Sequence, residues 1–177
     1  MKILTVFGTR PEIIKLSILI KKLDKFFNHK VLFTGQNYDD NLSKIFFKDL
    51  NFRKPDYICK ISKKSTVINI SEMMIYAEKI INKFKPNAVV ILGDTNSSFT
   101  SLVAKKYKIP LFHLEAGNRC FDERVPEEVN RRIIDHLSDI NLVYTEHARR
   151  NLLREGISSK TIVKTGSPMP EIFKFYK

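Results

Sequence analysis

Six short apolar runs recur along the chain, and segments with helical spacing separate them. Ile3 to Phe7, Val31 to Thr34, Ala88 to Leu92, Leu111 to Leu114, Asn141 to Tyr144 and Thr161 to Lys164 read as strands. Several are apolar at successive positions instead of alternating ones, as strands are when both faces of their sheet are covered. The clearest helical segment runs from Thr66 to Phe84, with Val67, Ile70, Met74, Ala77, Ile81 and Phe84 on one stripe, which core packing explains without a ligand. This alternation predicts an α/β fold, a doubly wound parallel sheet of the Rossmann-like kind. Such sheets bind ligands beyond the carboxyl ends of their strands.

The 177 residues suit one domain, and 43% hydrophobic content is enough to build its core. The net charge of +12 raises the question of an anionic partner. Most of the excess is Lys, in pairs such as Lys63-Lys64 and Lys105-Lys106 placed between apolar helical positions, as solvated faces are. No Arg-rich or aromatic nucleic-acid motif accompanies it, so no nucleic-acid partner is expected, whereas a small anion fits. Cys59 and Cys120 lack metal-ligand spacing. The apolar run at Ile3 to Phe7 is cut short by Gly8-Thr9-Arg10, too early for a signal peptide, and no stretch reaches membrane-spanning length. A soluble cytoplasmic protein with no membrane partner is expected.

The strand ends carry the candidate chemistry. The first strand runs into Gly8-Thr9-Arg10-Pro11-Glu12 and a helix from about Pro11 to Phe27. Thr9 and Glu12 have capping-box spacing and Pro11 suits a first turn, so the loop is expected to offer backbone N–H groups at a positive helix end. Phosphate would bind there with help from Arg10 and Lys15; the alternative is ordinary strand-to-helix punctuation. The loop lacks the Gly-x-Gly-x-x-Gly pattern, which argues against a nicotinamide or flavin enzyme.

Asp94, in Gly93-Asp94-Thr95, follows the third run and reads either as a helix N-cap or as a site carboxylate. Glu115 directly follows an apolar strand, where a charge needs a partner or a function. Farther on, Pro126 opens a helix on which Glu127 and Arg131 stand four apart. They are either a surface ion pair or a carboxylate positioned by a guanidinium for acid/base work. The histidines, at 29, 113, 136 and 147, lie within strands or near helix ends and read as structural.

The stretches Ile3 to Lys15, Gly93-Asp94-Thr95, His113 to Gly117 and Pro126 to Arg131 resemble, in order and spacing, the non-hydrolysing UDP-N-acetylglucosamine 2-epimerases. Asn118 to Asp122 and Asp135 to Asp139 look most like the capsule and O-antigen branch that acts on 6-deoxy amino sugars. The resemblance covers essentially the whole chain. It implies two Rossmann-like domains in a B-type glycosyltransferase-like architecture, with residues 1–177 as the first and the second absent, and a UDP-sugar held between them. It further implies elimination of UDP to an enzyme-held 2-acetamidoglycal, followed by readdition after C2 is reprotonated on its other face. Neither cofactor nor metal is needed for this. Arg10 and Lys15 would hold the diphosphate, and Asp94, Glu115, Glu127 and Arg131 would form the catalytic set.

The family continues into a second domain that carries a catalytic histidine and much of the uridine pocket. This chain is therefore expected to need that domain or a separate partner chain, to be inactive alone, and to form a homodimer when complete. Some members bind an activating second substrate through a loop near Gln36, whose pattern Gln36 to Asp39 departs from, so allosteric activation is not expected. Two other readings stay open, a B-type glycosyltransferase fragment and a non-catalytic remnant that binds UDP weakly.

Overall fold

The computed structural model describes residues 1–35, 53–62 and 64–176. The Gln36 to Asp39 segment and Lys63 lie outside the described residues. The elements run β1 (Lys2–Phe7), α1 (Arg10–Phe26), β2 (Asn28–Phe33), β3 (Tyr57–Ile58), α2 (Thr66–Phe84), β4 (Ala88–Leu92), α3 (Thr100–Lys106) and β5 (Leu111–Leu114). They continue with α4 (Pro126–Leu137), β6 (Ile140–Val143), α5 (Glu146–Arg154), β7 (Ile162–Lys164) and α6 (Met169–Phe175). The sheet order is β3-β2-β1-β4-β5-β6-β7, and every neighbouring pair is parallel. All six expected strands form. The strand that the sequence did not announce is β3, two residues between Asp56 and Lys60, too short to show a period.

Both faces of the central strands are covered. Leu4, Val6, Leu32, Val89 and Ile91 turn to one side, against Ala77, Ile80, Ile81 and Phe84 of α2 and Ala104 of α3. Phe7, Val31 and Phe33 turn to the other, against Ile13, Leu16 and Ile20 of α1. The strand period of two therefore feeds two cores, which is why these runs are apolar at successive positions. Each fully buried Leu, Ile or Phe contributes about 1.5–3 kcal/mol against exposure. The predicted stripe of α2 holds only in its later turns. Met73, Ala77, Ile80, Ile81 and Phe84 are buried, whereas Val67 is 76% exposed, because the first turn of the helix stands outside the core.

Strand order reverses between β1 and β4, which lie side by side although β2 and β3 intervene in sequence. That switch point brings the loops after β1 and β4 together at the carboxyl edge. At the opposite edge, His29 is buried, with Nδ1 2.7 Å from Asp24 and Nε2 2.8 Å from the Thr5 hydroxyl. Burial pushes its pKa below the usual histidine value despite Asp24. It is a structural histidine remote from the strand carboxyl ends.

Candidate active site

The loop after β1 is built around Glu12, which is 3% exposed. Its Oε2 accepts from the backbone N–H of Gly8 (2.7 Å) and of Thr9 (2.6 Å) and from the Thr9 hydroxyl (2.9 Å), and its Oε1 accepts from the Thr95 hydroxyl (2.8 Å). Burial pushes this carboxyl above the usual range, and the donors from Gly8, Thr95 and Thr9 pull against that shift. The capping box read from the sequence closes. Its consequence differs from the expectation: the Gly8 and Thr9 N–H groups are not offered to an outside phosphate, because the protein's own carboxylate occupies them. Gly8 itself is required by close approach, since a Cβ there would stand 2.0 Å from Ser97 Oγ and 2.2 Å from Thr34 Oγ1.

After β4, Asp94 is not a simple N-cap. Its carboxylate meets Arg131 of α4 at 2.8 Å from Nε and 2.7 Å from Nη2, a forked contact, while Asn130 donates to its carbonyl at 2.9 Å. The predicted Glu127/Arg131 pairing is corrected here. Glu127 is exposed, and the helical neighbour that Arg131 meets is Glu128, at 3.1 Å. Glu128 is fully buried and also accepts from the N–H groups of Cys120 (3.0 Å) and Phe121 (3.2 Å). Burial alone would push its carboxyl up, but these donors and Arg131 hold it below the ordinary range. Spacing of four admitted Glu127; burial of the next residue decided for Glu128.

After β5, Glu115 adopts the left-handed conformation, with φ 68°, unusual for a side chain of its size. It meets Lys15 of α1 at 2.5 Å. Two residues on, Gly117 has φ 78°, and a Cβ there would lie 2.4 Å from the carbonyl oxygen of Ala148. Asp135, 1% exposed, receives the Gly117 N–H at 3.2 Å, pairs with Arg119 at 2.7 Å and lies 2.9 Å from His113 Nδ1, while Arg119 continues to Glu155 at 2.5 Å. Burial works against the Arg119 charge, and Glu155 and Asp135 more than offset it, raising its pKa. This network holds the backbone that aims Glu115.

A cavity beside the Lys15 and Glu115 pair is lined by Leu114, Tyr144, Thr165 and Ser167. The Tyr144 hydroxyl is buried with no hydrogen-bond partner, and burial followed by the charge of Glu115 pushes its pKa up. Of the residues named from sequence, the structure joins Lys15 to Glu115 and Asp94 to Arg131. Arg10 opens α1, directly after the loop at the carboxyl end of β1. Sequence reasoning missed Glu128, Asp135 and Tyr144, and its capping-box reading of Glu12 did not extend to the Gly8 N–H and the Thr95 hydroxyl. Among the described residues, no group of three His, Cys, Asp or Glu could hold a metal ion, and no helix is long and apolar enough to cross a membrane.

A fully parallel sheet with paired carboxylates and cations at its switch point defines an α/β enzyme-like domain of the Rossmann-like class. The family model for UDP-N-acetylglucosamine 2-epimerase matches residues 21–177. The chain belongs to that family. It is 39% identical over 181 residues to the UDP-2,3-diacetamido-2,3-dideoxy-D-glucuronate 2-epimerase of Pseudomonas aeruginosa, covering 99% of this chain and 51% of that one. It superposes with a TM-score of 0.94, at 47% identity, on the Rickettsia bellii UDP-N-acetylglucosamine 2-epimerase, covering 99% of this chain and 47% of the other. The Methanocaldococcus jannaschii enzyme, solved with UDP-GlcNAc and UDP, gives a TM-score of 0.94 at 42% identity, covering 99% and 49%. A lipopolysaccharide outer core galactosyltransferase shares the fold, with a TM-score of 0.67 at 14% identity over 93% of this chain and 45% of that one. The chain spans about half the length of the relatives it matches.

Proposed function

We propose that this chain is the first, nucleotide-sugar-binding domain of a UDP-N-acetylglucosamine 2-epimerase, or of one acting on a 6-deoxy analogue, working in the cytoplasm on a precursor of capsule or O-antigen. The observation that carries the reading is the pair of carboxylates at the strand ends, each held by a cation: Glu115 by Lys15 and Asp94 by Arg131. A diphosphate reaching Lys15, with Arg10 beside it, competes with Glu115 for the ammonium. Substrate binding thus draws Lys15 away from Glu115 and leaves that carboxylate to face the sugar.

In the reaction so read, one carboxylate takes the C2 proton while the bond from C1 to the UDP oxygen breaks, giving a 2-acetamidoglycal and UDP. Another carboxyl returns a proton to the opposite face of C2, and a UDP oxygen re-forms the bond at C1. Asp94, Glu115 and Glu127 supply the acid and base. Arg131 orients Asp94. The glycosyltransferase reading rests on fold alone, since the galactosyltransferase likeness falls far below the epimerase identities.

Half the cleft belongs to a second domain in this reading, so the 177-residue chain incubated with UDP-N-acetylglucosamine is expected to form no UDP-N-acetylmannosamine. Nuclear magnetic resonance of the sugar anomeric protons checks this. Turnover by the chain alone would overturn its assignment as half of a cleft. A homodimer is part of the same proposal, supported by apolar side chains on α2 and just after α3, where Val67, Ile68, Ile75 and Tyr107 are 76%, 40%, 68% and 41% exposed. Light scattering of a two-domain protein that carries this chain is expected to return a dimer that Ile75→Glu dissociates; a monomer at every concentration would remove this part.

A further inference from the structure

The proposed reaction makes no use of Glu12, yet four hydrogen bonds converge on its buried carboxylate at the strand ends. Three donors converge on Oε2 and one on Oε1, a set in which the carboxylate only accepts, as its ionised form does. Two of those donors are the N–H groups at the start of α1, where the helix would otherwise attract an outside anion. The next residue but one, Pro11, has no N–H to offer. The fourth donor, Thr95, adjoins Asp94, so a single carboxylate spans the loops after β1 and β4.

We propose that Glu12 is a built-in anion: it fills the backbone cradle at the end of β1 and is the positioning residue that ties the Arg10 loop to the Asp94 loop. An anionic ligand is thereby turned away from the Gly8 and Thr9 amides and met by the side chains of Arg10 and Lys15. The second statement rests on the nucleotide-sugar reading; the first does not.

The test uses the 177-residue chain and its Glu12→Ala variant, which empties the cradle. The variant is expected to melt roughly 5–10 °C lower, and formate or inorganic phosphate is expected to restore part of the loss. The wild-type chain should respond to these anions no more than to chloride at equal ionic strength. Amide resonances supply the readout that a merely structural role would not move. In wild type those of Gly8 and Thr9 stay unmoved by phosphate or UDP, while in Glu12→Ala they shift with phosphate.

Where Glu12→Ala does not fold, Glu12→Gln serves, because its amide oxygen can keep the two N–H groups while its NH2 faces Thr95 Oγ1. The Gly8 and Thr9 amide protons should then move upfield, as a neutral acceptor replaces a charged one. Anion-induced shifts of Gly8 and Thr9 in wild type, absence of formate rescue, or unchanged amide resonances in Glu12→Gln would each overturn the proposal. Failure of wild type to bind UDP would count against the nucleotide-sugar reading alone, and the formate experiment would still decide the role of Glu12.

Discussion

Asp94→Asn, Glu115→Gln and Glu127→Gln, each made in a two-domain protein that carries this chain, are expected to slow epimerisation by at least about 10², the usual worth of one general acid or base. That factor corresponds to about 2.7 kcal/mol of transition-state stabilisation. The amide keeps the shape of each side chain but removes its charge and its ability to carry and release a proton. The three differ in what else they disturb. Asp94→Asn weakens the contact of Arg131 with Oδ2 and Glu115→Gln weakens that of Lys15, each by loss of the negative charge, whereas Glu127 is exposed and has least to lose structurally.

Product formed in heavy water is expected to carry deuterium at C2, because every turnover reprotonates that carbon from an enzyme acid. Retention of the original hydrogen, or near-normal rates in all three variants, would exclude elimination and readdition and favour the glycosyltransferase reading. Arg131→Ala should also lower turnover, by releasing Asp94, and it leaves Arg132 as the guanidinium that still pairs with buried Glu128.

Asp135→Ala is expected to cost about 3–5 kcal/mol of folding stability, because removing one member of a buried charge network strands the others. The Arg119 side chain is fully buried; it would keep Glu155 but lose Asp135, and the Gly117 N–H would lose its acceptor. For a chain of this size the loss lowers the melting temperature by roughly 10 °C. Urea unfolding with an unchanged slope would assign the effect to the native state. Asp135→Asn, which keeps an acceptor for Gly117 and Arg119, should lie between wild type and Asp135→Ala. A loss below about 1 kcal/mol, typical of a surface pair, would show that the network does not hold this loop.

Much of the fold was legible because its signals are local. Apolar runs such as Ala88 to Leu92 bury every residue, as a short β-rich run does in a strand covered on both faces. The capping box at Thr9 and Glu12 and the proline at the start of α4 likewise need only their own turn to form. The identities of Lys15, Asp94, Glu115 and Arg131 as site candidates were equally local, since each stands at or just beyond a strand end or on the first turns of a following helix.

Which charge meets which was decided only by tertiary structure. Helical spacing offers Arg131 both Glu127 and Glu128, and the choice depends on Asp94, 37 residues away, being carried to the same place by the pairing of β4 with β5. The sequence pointed to an open anion cradle at Gly8 and Thr9, but only the packed loop shows Glu12 turned back into it, with Thr95 delivered from β4 to hold its second oxygen. Asp135 entered the sequence reading only through the Asp135 to Asp139 resemblance, and the fold alone surrounds it with Arg119, His113 and the Gly117 amide. Sequence determines where strands and helices form because those energies come from neighbours along the chain. Partners of a buried charge are set by which strand ends the sheet order brings side by side, and no local pattern encodes that.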